Sequence, residues 1–585
     1  MKTSTRFPLC TAFRHTVLRG YSFAAFRADA MAAFVVSLVA LPLSMALAIA
    51  VGLPPQHGLY TAIVAGAVVP LLGGSVSQVS GPTAAFVVIL APIVSEFGLH
   101  GLVWCGLMAG VILVIMGFAR MGRLINYVPY PVTTGFTAGI AVVLATLSLN
   151  DFLGLGIPKL EGNFIHKAAT IAARLPALNP YETLIGVVTL LLLLFAGRVV
   201  KRLPSAIVAM VIGTVLGLFL TQHGHGIQTI GNRFSYTTHS GETAAGVPPY
   251  PPALHLPTLA PDTLLTVPSF EELRKFLFPA LAIAILAALE SLLSATVADS
   301  MAGTRHDPNA ELGGIGIGNI LSALAGGIPA TGAIARTATN INSGARSPLA
   351  STMHALFLLL YVLVLAPYIR YLPMASLAAL LIITAYRMSH VHQFFRVLAI
   401  APRSDTVVLL TCFTLTVFVD MVAGVGVGMI CASFLLMKRI TDLTRVELEG
   451  AEHPGIGTRK LPEGVLVYRI RGPLFFGTIE KAFDRATFNK ETIRTLIVDI
   501  ADVPFIDMTG LVAMKSLLAS VAGHRRAVYI VCTSLEVEEK IRHKIAGQEL
   551  SRFVHFYPSL EAALAEFSPP ATPKPNVSRK KPAKK

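Results

Sequence analysis

The chain has 585 residues, of which 54% are hydrophobic and only 14% are charged, whereas ordinary globular proteins carry about 25% charged residues. Between Asp29 and Glu96 the chain has no Asp, Glu, Lys or Arg. A water-soluble core is not built from such a stretch, but membrane spans of about 20 apolar residues each are. The composition therefore predicts a membrane protein and excludes a secreted disulfide scaffold and a soluble enzyme.

The net charge of +15 is typical of a membrane protein whose cytoplasmic loops face anionic lipid. We therefore expect the lipid bilayer, and no nucleic acid, as its large partner. The five cysteines are scattered along the chain without a CxxC pair. This spacing predicts neither a metal site nor a disulfide framework, and we expect no cofactor.

Fourteen predominantly apolar stretches predict an all-α polytopic membrane domain with 14 transmembrane segments. Residues 1–27 are basic and precede the first stretch, which resembles a signal peptide but is too long for one. We therefore expect residues 1–27 to be a cytoplasmic segment before an uncleaved helix. The predicted spans are 30–52, 57–72, 82–95, 99–118, 130–149, 181–197, 204–220, 276–297, 311–325, 332–345, 348–367, 374–387, 404–419 and 421–437.

Basic residues predict the orientation of these spans. An even number of spans places both termini on one side of the membrane, and the short loops 52–57, 96–99 and 326–331 on the opposite side contain no Lys or Arg. The longer segments on that side, 150–180 and 221–275, are long enough to dilute the positive-inside rule. We therefore expect a protein of the cell inner membrane with cytoplasmic N- and C-termini. The basic residues on the cytoplasmic side are Arg120, Arg123, Arg198, Lys201, Arg202, Arg305, Arg346, Arg387, Arg396 and Arg403.

After Met437 the sequence becomes mixed in polarity, and 439–459 reads as a linker. Strand patterns at 464–470, 495–500, 527–532 and 553–557 alternate with helical patterns near 479–488, 509–522, 534–545 and 559–567. This alternation predicts a small α/β domain over 460–567. Residues 568–585 are rich in Pro and Lys and predict a disordered basic tail.

The long loop 221–275 divides the membrane region into two halves of seven spans, 28–220 and 276–438. An odd number of spans in each half inverts the second half relative to the first. This is the inverted-repeat plan of many secondary transporters.

A Gly/Pro/Thr cluster occupies the corresponding place in each half and opens a short predicted span. The first cluster is 80–85 (SGPTAA), and the second is 328–333 (IPATGA). A helix that begins halfway across the membrane leaves backbone N–H groups unpaired at its positive end. Two such ends that face each other predict an anion site without a lysine. The alternative, that each cluster is an ordinary kink in a packed helix, stays open at this stage.

Ionisable residues inside the spans add to this hypothesis. Glu290 lies in the middle of the eighth predicted span, and Ser294 follows one helical turn later. A carboxylate at that depth costs several kcal/mol unless it is paired, protonated or hydrated, which suits Glu290 to carry a coupling proton. Arg336 lies about one turn into the tenth span and is a candidate to lend charge to the anion site. The alternatives are a structural Glu290–Arg336 pair and an arginine that snorkels to the surface. Asp405, Asp420 and His354 lie near predicted span ends, where we expect them to be solvated.

Three long segments resemble the SulP (sulfate permease) family of anion transporters with a C-terminal STAS domain. They are 80–89 (SGPTAAFVVI), 288–303 (ALESLLSATVADSMAG) and 326–346 (GGIPATGAIARTATNINSGAR). The resemblance is greatest to the DauA-type branch, which implies proton-coupled uptake of C4-dicarboxylates such as succinate. Segments 120–132 and 229–231 agree with that branch. Sulfate or bicarbonate transport by the same family is the alternative.

The resemblance implies a core subdomain that holds the substrate and moves like an elevator against a gate subdomain, and it implies a homodimer. It also implies a small-anion site lined by residues from the first, third and tenth spans, beside the proton-coupling residues Glu290 and Ser294. The substrate-lining residues are Leu43, Leu47, Thr83, Ala84, Ala85, Ala333, Ile334, Ala335 and Arg336.

Two positions depart from the family pattern. Leu43 stands where many members have Gln, which removes a polar contact from the site. Ile334 stands where a hydroxyl would help to bind sodium, and a hard cation needs several oxygen ligands. We therefore expect a coupling proton rather than sodium.

The segment 506–510 (IDMTG) matches a loop of STAS domains at which Ser or Thr is phosphorylated at the start of a helix. Thr509 occupies that position beside Asp507, so the two are candidate regulatory residues for a cytoplasmic partner. The alternative is that they only cap the helix.

Other functions were weighed against anion transport. A nucleobase permease of the same architecture requires a pair of carboxylates in the site, and Arg336 argues against it. An uncoupled anion channel has no use for a buried Glu290. A membrane sensor that signals through STAS would bind its ligand without flux. No nucleophile and base stand at catalytic spacing, so we do not expect an enzyme.

Overall fold

The fold is described from a computed structural model. It covers residues 9–18, 20–158, 160, 162–200, 204–238, 240–258, 265–449, 461–483, 494–522, 526–545 and 549–567. The chain divides into two compact units, Met1–Ala432 and Ser433–Lys585. Part of the predicted linker, part of the pattern at 479–488, Lys201, Arg202 and the predicted tail lie outside the described residues.

The first unit is almost entirely helical and has four short strands. The strands are β1 (Ser80–Gly81), β2 (Ser235–Thr237), β3 (Thr243–Ala245) and β4 (Thr331–Gly332). The helices are α1 (Thr11–Thr16), α2 (Phe23–Val51), α3 (Gln56–Leu72), α4 (Ala84–Phe118), α5 (Tyr130–Phe152), α6 (Phe164–Arg174), α7 (Pro180–Val199), α8 (Ser205–Gln222), α9 (Ile230–Arg233), α10 (Phe270–Ala302), α11 (Pro308–Leu324), α12 (Ile334–Asn342), α13 (Pro348–Ile369), α14 (Met374–Ser389), α15 (Val391–Ile400), α16 (Arg403–Phe418) and α17 (Met421–Leu443), which continues into the second unit.

Each of the fourteen predicted spans coincides with a helix. The third and fourth spans are the two parts of α4, which bends at Gly98, where φ is 65°. Glycine adopts this left-handed backbone without steric cost. Among the described residues, nine helical stretches have at least 18 residues and are apolar enough to cross a membrane, with α14 and α15 counted as one stretch, Met374–Ile400. The remaining predicted spans are shorter helices. The sequence did not predict α6 or α15, which lie in segments read as loops.

Helix packing divides the first unit into two groups. The core group is α2, α3, α4 and α10 to α13, in which α2 packs against α13 and α10 packs against α4. The two pairs correspond in an inverted repeat. Such a repeat relates the first span (α2) to the eighth (α10), and the fourth span (the second part of α4) to the eleventh (α13). The gate group is α5, α7, α8, α14 and α16, in which α5 packs against α14 and α16.

Two extended segments meet inside the core group. Strand β1 pairs antiparallel with β4, with Ser80 opposite Gly332 and Gly81 opposite Thr331. All four residues are buried. Their backbone groups pair with each other in place of water, which makes a non-helical backbone tolerable at membrane depth.

The second unit contains a five-stranded sheet with strands in sequence order. The strands are β5 (Arg445–Glu449), β6 (Val465–Arg471), β7 (Thr495–Asp499), β8 (Ala527–Val531) and β9 (Val554–Tyr557). Strand β5 is antiparallel to β6, and the others are parallel. The helices are α18 (Ile479–Phe483), α19 (Met508–Ala522), α20 (Leu535–Ile545) and α21 (Leu560–Ala565).

Strand β5 corrects the prediction that 439–459 is only a linker. Its sequence alternates charged and apolar residues, and Val446 and Leu448 pack against the buried core of the sheet. An edge strand that buries one face needs only two apolar residues on that face. In the sequence alone, an alternation of five residues is too short to distinguish a strand from a linker.

Candidate functional site

Helices α4 and α12 begin beside the β1–β4 pair, deep in the core group. Thr83 precedes α4 and Ala333 precedes α12, and neither helix has a side-chain cap. The backbone N–H of Ala333 is bonded to the carbonyl of Val79 at 2.9 Å, which joins the two starts. Uncapped first turns present N–H groups and the positive end of the helix dipole. The two starts can therefore stabilise an anion, as the clusters at 80–85 and 328–333 predict.

Glu290 lies on α10 against the start of α4. The hydroxyl of Thr83 donates a hydrogen bond to Oε2 of Glu290 at 2.8 Å. The Glu290 side chain is half-buried, whereas Ala288 before it and Ser291 after it on α10 are buried. A partly accessible carboxylate inside a helical bundle lines a cavity and does not fill a packed core. This position suits a group that takes up and releases a proton.

Arg336 lies in the first turn of α12 and is 2% exposed. Its Nη2 donates to the carbonyl oxygen of Pro82, whereas its Nε and Nη1 have no hydrogen-bond partner among the described residues. The alternative of an arginine that snorkels to the surface is therefore wrong. A buried guanidinium with unused donors is costly unless an anion completes it.

Gly81 gives the guanidinium of Arg336 its space. A Cβ at Gly81 would lie 2.6 Å from Nη1 of Arg336, and the φ of Gly81 is 157°. Only glycine lets the strand pass this close to the arginine. No ion pair joins Arg336 to Glu290 among the described residues. The alternative of a direct Glu290–Arg336 ion pair is therefore wrong.

Ser294 lies one turn beyond Glu290, and its hydroxyl contacts Thr337 on α12. Its Oγ lies 3.4 Å from Oγ1 of Thr337, and Thr337 accepts a bond from the N–H of Val79 at 3.0 Å. Ser294 therefore contacts the threonine that holds β1, and no hydrogen bond joins it to Glu290 in the part of the chain that the structure describes. The proton-coupling role of Ser294 stays a prediction.

The other predicted lining residues differ in exposure. Helix α2, which carries Leu43 and Leu47, packs against both α4 and α12. Leu43 is half-buried and Leu47 is buried. Thr83, Ala84, Ala85 and Ala333 are buried, Ile334 is half-buried, and Ala335 is exposed.

Helix α11 anchors both extended segments, and the sequence reading missed its two anchor residues. Glu311 is 1% exposed and accepts bonds from the N–H groups of Gly74 and Ser75 and from Nε2 of Gln78, each at 2.9 Å. Asn319 accepts from the N–H of Ala330 at 2.8 Å and donates to its carbonyl at 2.9 Å. The presence of Glu and Asn in an apolar span was the available signal.

Ser291 was also missed, although it follows Glu290 directly. Its Oγ lies 2.7 Å from Oγ1 of Thr331 and accepts from the N–H of Gly332 at 3.0 Å. It therefore fixes β4 against α10. The expectation that His354 is solvated is wrong, because His354 is fully buried on α13 and its Nδ1 lies 3.3 Å from the carbonyl of Ser351. Asp420 is exposed, as expected.

The predicted regulatory residues lie in the second unit. Asp507 accepts from the N–H of Gly510 at 2.7 Å and from the N–H of Phe476 at 3.1 Å. Asp507 therefore caps α19 and holds the segment after β6. Thr509 is exposed in the first turn of α19. Phosphorylation of Thr509 stays a prediction.

Comparisons with known proteins agree with this geometry. The model of the sulfate permease family matches residues 26–412, and the model of the STAS domain matches residues 458–563. YvdB of Bacillus subtilis, which is named a candidate sulfate transporter, is 38% identical over 537 residues, which are 91% of this chain and 97% of YvdB. The bicarbonate transporter BicA of Picosynechococcus is 29% identical over 527 residues, which are 86% of this chain and 88% of BicA.

Solved structures give the same fold. The transmembrane domain of a cyanobacterial BicA has a TM-score of 0.58 at 26% identity, with 71% of this chain and 98% of that chain covered. The murine solute carrier 26 family member A9 anion transporter has a TM-score of 0.80 at 19% identity, with 94% and 92% covered. The first is a polytopic membrane domain, and these relatives are transporters rather than enzymes. The chain therefore belongs to the sulfate permease family of multi-pass anion transporters and carries a C-terminal STAS domain.

Proposed function

We propose that the chain is a secondary active transporter of a small oxyanion, either sulfate or bicarbonate. The observation that carries this proposal is the buried Arg336 beside the two uncapped helix starts, because its Nε and Nη1 have no hydrogen-bond partner within the described ranges. A guanidinium offers paired donors that match a planar or tetrahedral oxyanion. The names of YvdB and BicA support the same substrate class.

Glu290 is the proposed proton carrier. Its carboxylate accepts a hydrogen bond from Thr83 at the start of α4. Protonation of Glu290 would therefore change the charge next to the proposed anion site. Proton coupling therefore remains our proposal over sodium, because Ile334 adds no oxygen ligand at the start of α12. In this scheme the core group carries the anion past the gate group by an elevator-like movement. The homodimer stays a prediction.

A C4-dicarboxylate is the second candidate substrate. The half-buried Leu43 on α2 supports it, because an apolar side chain can contact the carbon chain of succinate but offers no hydrogen bond to sulfate. The resemblance to the DauA-type branch points the same way. Sulfate and succinate both carry two negative charges near neutral pH, so selectivity between these two depends on cavity shape rather than on charge.

Uptake into proteoliposomes tests the proposal. Labelled sulfate, bicarbonate and succinate are each offered with an inward proton gradient, an inward sodium gradient or no gradient. We expect proton-driven accumulation of sulfate or bicarbonate. Accumulation of succinate alone would contradict a small oxyanion as substrate and favour a C4-dicarboxylate. Binding without uptake of any anion would replace transport by the sensor function.

A further inference from the structure

A cavity of about 670 Å³ lies between the core group and the gate group, away from Glu290 and Arg336. Its walls are the C-terminal end of α2 and the part of α4 just before Gly98 from the core group, and the C-terminal end of α5 and the first half of α14 from the gate group. We name it the Lys167 cavity. Ala46 lines it and lies about one helical turn from Leu43 on α2. The cavity therefore approaches the level of the anion site from the side on which segment 150–180 is predicted to lie outside the membrane.

Two cations line the Lys167 cavity, and their surroundings differ. Arg233 forms an ion pair with Asp151 at 2.7 Å. The ammonium of Lys167 has no ion pair and no hydrogen bond among the described residues, although the side chain is half-buried. Lysine is seldom buried without a partner. Burial lowers the pKa of Lys167, because desolvation disfavours the charged form when no opposite charge compensates.

The fold holds Lys167 in this place. Helix α6 is capped by Asn163, which accepts from the N–H of His166 at 2.9 Å. Its Ile171 is 3% exposed, and Phe164 packs edge-to-face on Phe418 of α16 with ring centroids 6.0 Å apart. The helix is therefore fixed on the gate group by its apolar face.

We propose that the Lys167 cavity is a capture site for the transported anion, in which Lys167 concentrates a small oxyanion or carboxylate before it reaches Arg336. This inference rests on the proposed transport function. Because Asp151 neutralises Arg233, Lys167 is the unpaired cation of the lining. Glu96 is an exposed carboxylate that also lines the cavity. Its negative charge repels an incoming anion and so acts against Lys167. Among the described lining residues, Lys167 and Glu96 are therefore the two charges without an ion pair. The half-buried ammonium of Lys167 is screened less by solvent than the exposed Glu96 carboxylate, and a cleft focuses the field of such a charge on incoming ions.

The first test compares uptake kinetics of labelled sulfate for Lys167→Gln, Glu96→Gln and wild type. We expect Lys167→Gln to raise the apparent KM several-fold with kcat unchanged, and Glu96→Gln to lower the KM. Both effects shrink at high salt, because the Debye length falls to about 3 Å at 1 M. Arg174→Gln is the matched control, because Arg174 is an exposed cation on the same helix outside the cavity.

The second test uses Lys167→Cys with membrane-impermeant thiol reagents added from outside. A positively charged reagent should restore the wild-type KM, and a negatively charged reagent should raise the KM further. Wild type is treated in parallel, because its five cysteines are unpaired. Sulfate should also slow the modification of the introduced thiol, and this readout needs no flux.

The outcomes separate the two proposals. Wild-type transport with an unchanged KM in Lys167→Gln and no effect of either reagent would overturn the capture site and leave the transport function standing. Sulfate protection of the thiol without flux in wild type would support the anion site and overturn transport. Absence of both flux and protection would overturn both.

Discussion

Arg336 combines burial, a positive charge and unused donors at the meeting point of two helix starts. Among the predicted site residues, it is the one whose geometry demands an anion. The predicted lining residues Leu43, Ala84 and Ala85 cannot neutralise a charge. We therefore expect anion affinity to depend on Arg336.

Arg336→Ala should weaken sulfate binding roughly 10- to 100-fold, because charge-assisted hydrogen bonds contribute about 1.5–3 kcal/mol. Binding to the purified protein is measured by isothermal titration calorimetry, and thermal unfolding shows whether the variant is folded. Arg346→Ala is the control, because the Arg346 side chain is exposed in the loop after α12. Equal affinity of the Arg336→Ala variant and wild type would remove Arg336 from the site.

Glu290→Gln should abolish accumulation driven by a pH gradient while anion exchange persists. The amide can still accept the hydrogen bond from Thr83 but cannot titrate. Accumulation and exchange of labelled sulfate are measured in the same proteoliposomes. Glu271→Gln, an exposed acid on the same helix, should behave like wild type. Proton-driven accumulation by Glu290→Gln would end the proton-carrier assignment.

At the scale of elements, the site depends on two extended segments held by α11. Glu311 holds residues 74–78, and Asn319 holds Ala330. The starts of α4 and α12 follow directly from these segments. The anchors thus fix the direction in which the two helix dipoles point.

Glu311→Ala should lower the thermal unfolding temperature and weaken anion binding together. The change leaves three buried donors without an acceptor, and each such donor costs about 1–3 kcal/mol. Glu311→Gln should give an intermediate loss, because its amide keeps one acceptor oxygen. Glu242→Ala removes an exposed acid and should change neither quantity. An unfolding temperature equal to wild type in Glu311→Ala would contradict the anchoring role.

Gly81→Ala should weaken anion binding with only a small change in stability. The new Cβ would lie 2.6 Å from Nη1 of Arg336 and displace the guanidinium. Gly20→Ala is the matched control, because Gly20 also has a positive φ, 134°, but nothing within 4 Å of a Cβ. Equal losses of affinity in both variants would assign the effect to backbone strain instead of to Arg336.

Much of the fold was predictable because hydrophobic length and turn residues are local signals. All fourteen predicted spans coincide with helices, and the Gly/Pro/Thr clusters mark the half-helix starts. Glu311 escaped notice because it is the first residue of a predicted span, where an acid is usually solvated, and its partners lie more than 200 residues earlier. His354 was misread because it lies only about two turns into a predicted span, although it is fully buried. The helices α6 and α15 have 11 and 10 residues and so lack the length of a span.

At the scale of the whole molecule, transport requires that the core group and the gate group expose the site to each side in turn. An uncoupled channel needs no such alternation, and a sensor needs no passage. The Lys167 cavity lies between the two groups, where such a movement would open and close it.

Counterflow of labelled sulfate tests this transport function most directly. Proteoliposomes loaded with unlabelled sulfate or bicarbonate are diluted into trace labelled sulfate without any ion gradient. A transporter that alternates between the two sides concentrates the label transiently above its equilibrium level, and this overshoot is the predicted result. Entry of label that reaches equilibrium without overshoot would contradict transport by alternating access, and no entry of label at all would contradict sulfate transport by this chain.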